Sequence, residues 1–300
     1  MAPMSKDLPR QAILIVNAMS RRGRDLFDEA KTKLAAAGVE LIAAHALRDP
    51  RELVPTVRKA LAAGAPMVIV GGGDGSLSMS VDEFVGKNAV FALLPLGTAN
   101  SFARTMNIPL DLDGAVAVIA DGERRRIDLG VIDDDYFANC AAIGLSPMIA
   151  ETVPHGLKRV GGRIGYLAWA AWKFIGFRPF RVTIGEGDAA ETIDAVELRI
   201  ANGGYHGGAE LVESAAPDSG EIVVQAVIGN AKHRLIASWA ASLMKLRWRK
   251  RTVREFRGVA LRIATDPPLP ISIDGEVLAR TPVTAKVAKG VIEVAAPRAS

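Results

Sequence analysis

One cysteine, Cys140, occurs in 300 residues. A single thiol excludes an internal disulfide framework and any cysteine-cluster metal site. Its neighbours Asn139, Ala141, Ala142 and Ile143 suggest a small buried side chain, so redox chemistry is not expected. Long apolar runs are also missing: no uninterrupted stretch reaches the roughly 20 residues a membrane span needs. Near the start, Ala12 to Val16 has only a strand's length and polar residues follow it, so a secretory signal is not expected either. The expectation is a cytoplasmic protein. Charge of one sign is scarce too, because a net charge of +4 with a pI near 9.3 is too mild to argue for nucleic acid.

What is present is a composition 49% hydrophobic and 23% charged, ordinary for a globular chain. It allows one large domain or two of about 130 to 160 residues, and two is our reading. The most informative stretch is Val68-Ile69-Val70 running into Gly71-Gly72-Gly73-Asp74-Gly75-Ser76. A β-branched strand that empties into glycines lets the backbone fold tightly and bring N–H groups against anionic oxygens, which the start of a following helix also attracts. A carboxylate at that apex repels phosphate unless a divalent cation lies between them or a proton must be taken from an attacking hydroxyl. Asp74 therefore points to phosphoryl transfer.

Up to residue 126, strand patterns (12–16, 40–44, 67–70, 90–94) alternate with helical ones (24–37, 51–63, 76–85, 98–106, 113–120). Such alternation predicts an α/β domain with a parallel, Rossmann-like sheet covered on both faces. Three of its strands end in Asn17, in the glycine turn and in Leu96-Gly97-Thr98-Ala99-Asn100-Ser101, and in an open parallel sheet those ends line one crevice. From residue 127 to 300 short strands prevail: 126–131, 136–143, 180–184, 191–201, 221–227, 259–265, 270–273 and 291–295. They predict an antiparallel β-sandwich-like domain, its last residues free to pack back on the first domain. Helical stretches are expected at 164–174 and 232–245, each rich in tryptophan and aliphatics that suit core packing or a lipid interface.

Gly72-Gly73-Asp74-Gly75-Ser76, the run Leu-Gly-Thr-Ala-Asn-Ser-Phe-Ala-Arg at 96–104, and Asp274-Gly275-Glu276 together resemble the diacylglycerol kinase catalytic family. That family includes bacterial soluble lipid kinases and the sphingosine and ceramide kinases. Weaker segments follow in the family's order: Phe137-Ala138-Asn139, Asn202-Gly203 through Gly207-Gly208, and Pro217-Asp218-Ser219-Gly220. The resemblance implies ATP and magnesium as cofactors, a nucleotide-binding first domain, a lipid-binding second domain and a site in the cleft between them. Gly72, Gly73 and Gly75 would cradle ATP phosphates. Asn17, Ser76, Thr98 and Asn100 would reach the nucleotide, although Ser76 and Thr98 also suit helix caps and Asn17 a turn. Asp74 would hold magnesium or relay a proton. Glu276, with Asp274 nearby, would take the proton of the lipid hydroxyl, although Asp-Gly between alternating apolar residues also describes a plain hairpin. Asp218 corresponds to a turn that binds a structural magnesium in some relatives, or it simply forms the turn.

Four residues depart from the family's usual pattern: Ala18 stands where proline is usual, Ser76 where threonine is commoner, Ser101 where many bacterial relatives carry aspartate, and Ser219 where a second acid is common. Residues 245–257 interleave basic side chains with Trp248 and Phe256, so peripheral contact with anionic lipid on the inner face of a membrane is expected, and nucleic acid is not. A homodimer is left open. The leading expectation is an ATP-dependent lipid kinase acting on a diacylglycerol-like hydroxyl. An NAD kinase-like enzyme and a non-catalytic lipid or nucleotide sensor are the alternatives.

Overall fold

Val68 to Val70 and Phe91 to Leu94 bury every side chain, which a strand achieves only when both faces of its sheet are covered. The structure, a computed structural model, describes residues 6–18, 21–152, 169, 172–229 and 252–298. In its first part β1 (Gln11–Asn17), α1 (Arg21–Ala36), β2 (Glu40–Leu47), α2 (Leu53–Ala62), β3 (Met67–Gly72), α3 (Asp74–Val81), β4 (Val90–Pro95), α4 (Ser101–Thr105) and α5 (Leu112–Asp121) alternate. The strands pair in parallel in the order β4-β3-β1-β2. Pairing of Gly72 with Pro95 and of Val16 with Gly71 brings the ends of β1, β3 and β4 to one edge, and this positions the site.

The second part contains β5 (Glu123–Ile132), β6 (Asp135–Phe137), β7 (Cys140–Gly144), α6 (Leu145–Thr152), β8 (Phe180–Ile184), β9 (Glu191–Ala201), β10 (Tyr205–His206), β11 (Ala209–Glu210), β12 (Ile222–Ile228), β13 (Val253–Gly258), β14 (Ala260–Asp266), β15 (Pro270–Ile273), β16 (Glu276–Arg280) and β17 (Val283–Ala296). Apart from one contact these strands pair antiparallel, around a second core of which Phe180, Leu198, Ile200 and Ile271 are members. The exception is β17. It runs antiparallel to β14 and β5 and then parallel to β4 through Glu293–Val90 and Val294–Phe91. One hydrogen-bonded path therefore extends from β16 to β2, joining both parts through the last strand.

Some elements differ from expectation for physical reasons. β17 has 14 residues where only 291–295 read as a strand, because Lys286, Lys289 and Gly290 interrupt its apolar pattern. The single strand expected over 136–143 is two, since Ala138 and Cys140 turn their amides to the Asp274 carboxylate. α3 starts at Asp74 rather than 76 and closes with a 3-10 turn at Asp82–Phe84, and α4 starts at Ser101 because Asn100 has φ 48, outside the helical region. β13 had no strand signal, its exposed residues being mostly charged. The helical stretch expected at 232–245 lies outside the described residues, as does most of 164–174.

Candidate active site

The glycine turn follows from close packing of two loops. A Cβ on Gly97 would lie 2.5 Å from the Gly73 Cα, so the turn after β3 and the loop after β4 touch backbone to backbone. Only glycine permits that approach. Gly75 differs: a Cβ there would meet nothing within 4 Å, so the fold does not demand glycine and the space stays open beside the first turn of α3. A first helical turn has amides without intrahelical acceptors and a positive end of the peptide dipoles, both suited to an anion.

Asn100 shapes the second loop. It is buried, in the left-handed region, and its amide is spent locally: Oδ1 accepts from Gly97 N at 3.0 Å, and Nδ2 donates to the carbonyls of Gly97 at 2.9 Å and Pro95 at 3.4 Å. These bonds hold the loop that packs against Gly73. Ser76 is the third residue of α3 and Gly73 the cap, so Ser76 does not cap this helix; Thr98 is exposed and precedes Asn100, the cap of α4. A cleft of about 550 Å³ is lined by Asn17, Gly72, Gly73, Ser76, Thr98 and Asn100, with Leu26, Leu110 and Leu112 adding apolar wall. Of the expected nucleotide residues Gly75 alone is not in that lining. Asn17 Oδ1 is buried with no hydrogen-bond partner among the described residues, an orphan polar atom at the cleft's edge that a ligand would satisfy.

Beyond Gly73 the site becomes acidic and two-sided. Asp74, half-buried at the start of α3, accepts from Phe102 N at 3.3 Å through Oδ1. Asp274, in the turn between β15 and β16, has φ 44 and is held by two amides, Ala138 N on Oδ2 at 3.0 Å and Cys140 N on Oδ1 at 3.1 Å. Burial pushes its pKa up to about 6; the amides of Cys140, Ala138 and Asn139 oppose this, and the charge of Asp74 adds to it. Glu276, expected as the proton acceptor, is exposed at the start of β16. Cys140 is buried and its thiol is pushed up to about 12, chiefly by that burial, which keeps it a protonated packing residue.

His206 was not anticipated. It sits on the β10–β11 hairpin, inside the glycine-rich stretch 202–208, where a lone imidazole between glycines is the signal a reader could have used. Behind it on β9, fully buried Arg199 donates to Glu197 Oε2 at 2.5 Å and to Gln225 Oε1 at 2.9 Å.

The Asp218 carboxylate is engaged by Arg125, and the turn around it is secured by Asp128, which accepts from Gly220 N and Gly290 N at 2.7 Å each. No group of three or more His, Cys, Asp or Glu side chains arranged for a metal occurs among the described residues. In the basic stretch, residues 245–251 lie outside the described residues. From 253 on it is the strand β13, where Arg254 pairs with Glu191, Arg257 lies 3.7 Å from Glu255, and Phe256 packs on the second core. That part is a sheet edge. At the end of the other tryptophan-rich stretch, Trp169 packs on the second core while Trp172 and Ile175 are exposed. No helix among the described residues is long and apolar enough to cross a membrane.

Comparison with known proteins gives a consistent picture. Residues 11–132 match the diacylglycerol kinase catalytic domain, and residues 140–296 match the YegS C-terminal NAD kinase beta sandwich-like domain. A protein of Chromohalobacter salexigens named "Probable lipid kinase YegS-like" is 28% identical over 256 residues, covering 82% of this chain and 81% of its own. A Staphylococcus epidermidis protein named "Diacylglycerol kinase" is 31% identical over 163 residues, 52% of this chain and 51% of its own. The crystal structure of a diacylglycerol kinase from Bacillus anthracis superposes with a TM-score of 0.72 at 19% identity, covering 96% of this chain and 97% of that one; it establishes likeness of fold.

Proposed function

Because the chain belongs to the diacylglycerol kinase catalytic family and carries that family's YegS-type second domain, we propose that it is an ATP- and magnesium-dependent lipid kinase that phosphorylates a diacylglycerol-like hydroxyl. The observation that carries this reading is the glycine-lined cleft at the ends of β1, β3 and β4, with Asp74 next to Gly73 at the start of α3.

In this reading the triphosphate lies along Gly72, Gly73 and the open space at Gly75, with Asn17, Ser76 and Thr98 around the nucleotide and Asn100 keeping the second loop in place. Asp74 has one carboxylate oxygen, Oδ2, with no hydrogen bond among the described residues, which suits a magnesium ion shared with phosphate oxygens. Such an ion, when bound, would neutralise charge on the transferring group. Asp274 is the better proton acceptor of the acidic pair: its carboxylate is fixed by two amides and its raised pKa matches a base working near neutrality, whereas Glu276 is open to solvent. As the lipid oxygen bonds to the γ-phosphorus its proton passes to Asp274, the bond from phosphorus to the β-γ bridging oxygen breaks, and ADP leaves. The lipid would be reached from the inner face of a membrane by a cytoplasmic protein.

The test is γ-labelled ATP and magnesium with a total lipid extract, and NAD in parallel. Label in a lipid that requires Asp74 supports the proposal. Label in NAD favours the NAD kinase-like alternative, and nucleotide binding with no labelled product favours a sensor.

A further inference from the structure

His206 belongs to the second part of the chain, on the β10–β11 hairpin. Its hairpin is fastened to the loop after β4: Gly208 N donates to Ser101 Oγ at 3.1 Å, and a Cβ on Gly208 would lie 3.3 Å from the Ala99 backbone. The adjacent residue, Phe102, gives its amide to Asp74 Oδ1. Asp74 and Gly208 are thus attached to neighbouring residues, and His206 precedes Gly208 by a span of at most about 7 Å. Ser101 owes its buried place to this tether, which gives a purpose to a residue that departs from the aspartate common in bacterial relatives.

The imidazole is partly exposed and makes no hydrogen bond among the described residues. Asp74 Oδ2 is equally uncommitted. Desolvation lowers the imidazole pKa; Glu197 and Asp74 oppose this and Arg199 adds to it, so the ring keeps one N–H donor in its neutral form. Two polar groups without a hydrogen bond among the described residues, Asp74 Oδ2 and the His206 ring, thus belong to segments tied to the adjacent residues Phe102 and Ser101.

We propose that His206 is a further residue of the transfer site, donating an imidazole N–H to an oxygen of the ATP γ-phosphoryl group opposite Asp74. This rests on the nucleotide-binding reading above but not on the identity of the lipid. A donor from the second part would let the terminal phosphate itself draw the hairpin and the phosphate loop together, while a diphosphate would not.

The protein has four histidines, so selective labelling of their rings gives few resonances; that of His206 is identified by its loss in His206→Asn. The magnesium complexes of a non-hydrolysable β,γ-methylene ATP analogue and of ADP are titrated separately, with affinities from calorimetry. The expected result is a shift of the His206 resonance with the triphosphate and none with ADP. His206→Phe should weaken the triphosphate by roughly tenfold or more, the worth of a hydrogen bond to a charged group, and leave ADP unchanged. His206→Asn, which keeps an N–H, should recover part of the loss. A triphosphate that binds without moving the resonance, or that binds His206→Phe as tightly as the native chain, would overturn the inference and leave the kinase proposal standing. Failure of the native chain to bind either nucleotide would overturn both.

Discussion

Asp274 combines a left-handed backbone, two amide donors and a carboxyl that titrates near 6, and each has a measurable consequence. Its folded pKa is raised above the ordinary 3.8, so the folded state holds the proton more tightly than the unfolded chain does. The stability this contributes is complete below about pH 4 and is lost as pH rises through about 6. Denaturant melts of Asp274→Asn and the native chain should therefore diverge with pH, the variant gaining about 2 to 3 kcal/mol relative to the native chain between pH 4 and pH 7. A constant difference would mean that the carboxyl is not desolvated. Catalysis runs the opposite way: a base must be ionised, so turnover should fall as pH drops below about 6, and Asp274→Asn should remove most of it across the whole range. Glu276→Gln should cost much less than Asp274→Asn in the same assay. The sequence exposed the Asp-Gly-Glu segment and pointed to Glu276 as the base; the hydrogen bonds of Asp274 to Ala138 and Cys140, over 130 positions earlier, were not legible in it. Ser101 was legible as a departure, but its bond from Gly208, 107 residues away, was not.

At the scale of elements, the two loops after β3 and β4 form one unit. Gly97→Ala places a methyl against the Gly73 backbone, and we expect a clear loss of melting temperature together with loss of nucleotide binding. Gly75→Ala provides the contrast. It adds a methyl in open space within a helix, so stability should stay level or rise by about 0.5 to 1 kcal/mol, while triphosphate affinity drops. Calorimetry beside a thermal melt separates the two; a Gly75→Ala protein with native affinity would take that position out of the phosphate site. The strands and the glycine turn were legible because each is a local pattern, a buried run followed by residues without side chains. Asn100 was legible as important, while the hydrogen bonds of its amide to Pro95 and Gly97 were not, since an asparagine that folds back on its own loop looks the same in sequence as one that does not.

At the scale of the molecule, β17 decides how the parts behave. It is the strand that continues the parallel sheet beyond β4 and is also paired to β14 and β5, so neither part completes its sheet without it. A chain ending before Val283 leaves the edge of β4 unpaired, and we expect it to aggregate or melt without a cooperative transition. Independent folding of residues 1–126 alone, seen by circular dichroism and a sharp melt, would contradict this. The return of the last residues to the first domain was expected from the chain, as was the change to a mostly strand-like pattern near residue 127, whereas the lysines and glycine inside β17 concealed the length of that strand. The central claim is that two distant acids serve a single transfer, and the most direct measurement is a double-mutant cycle on γ-phosphate transfer to lipid with Asp74→Asn, Asp274→Asn and the pair. Residues acting as one unit are strongly non-additive: each single variant should fall by at least about 100-fold, in the range of lost acid-base or charge-stabilising groups, and the double should be little worse than the poorer single. Losses that simply multiply, or an Asp274→Asn enzyme with native turnover, would contradict it.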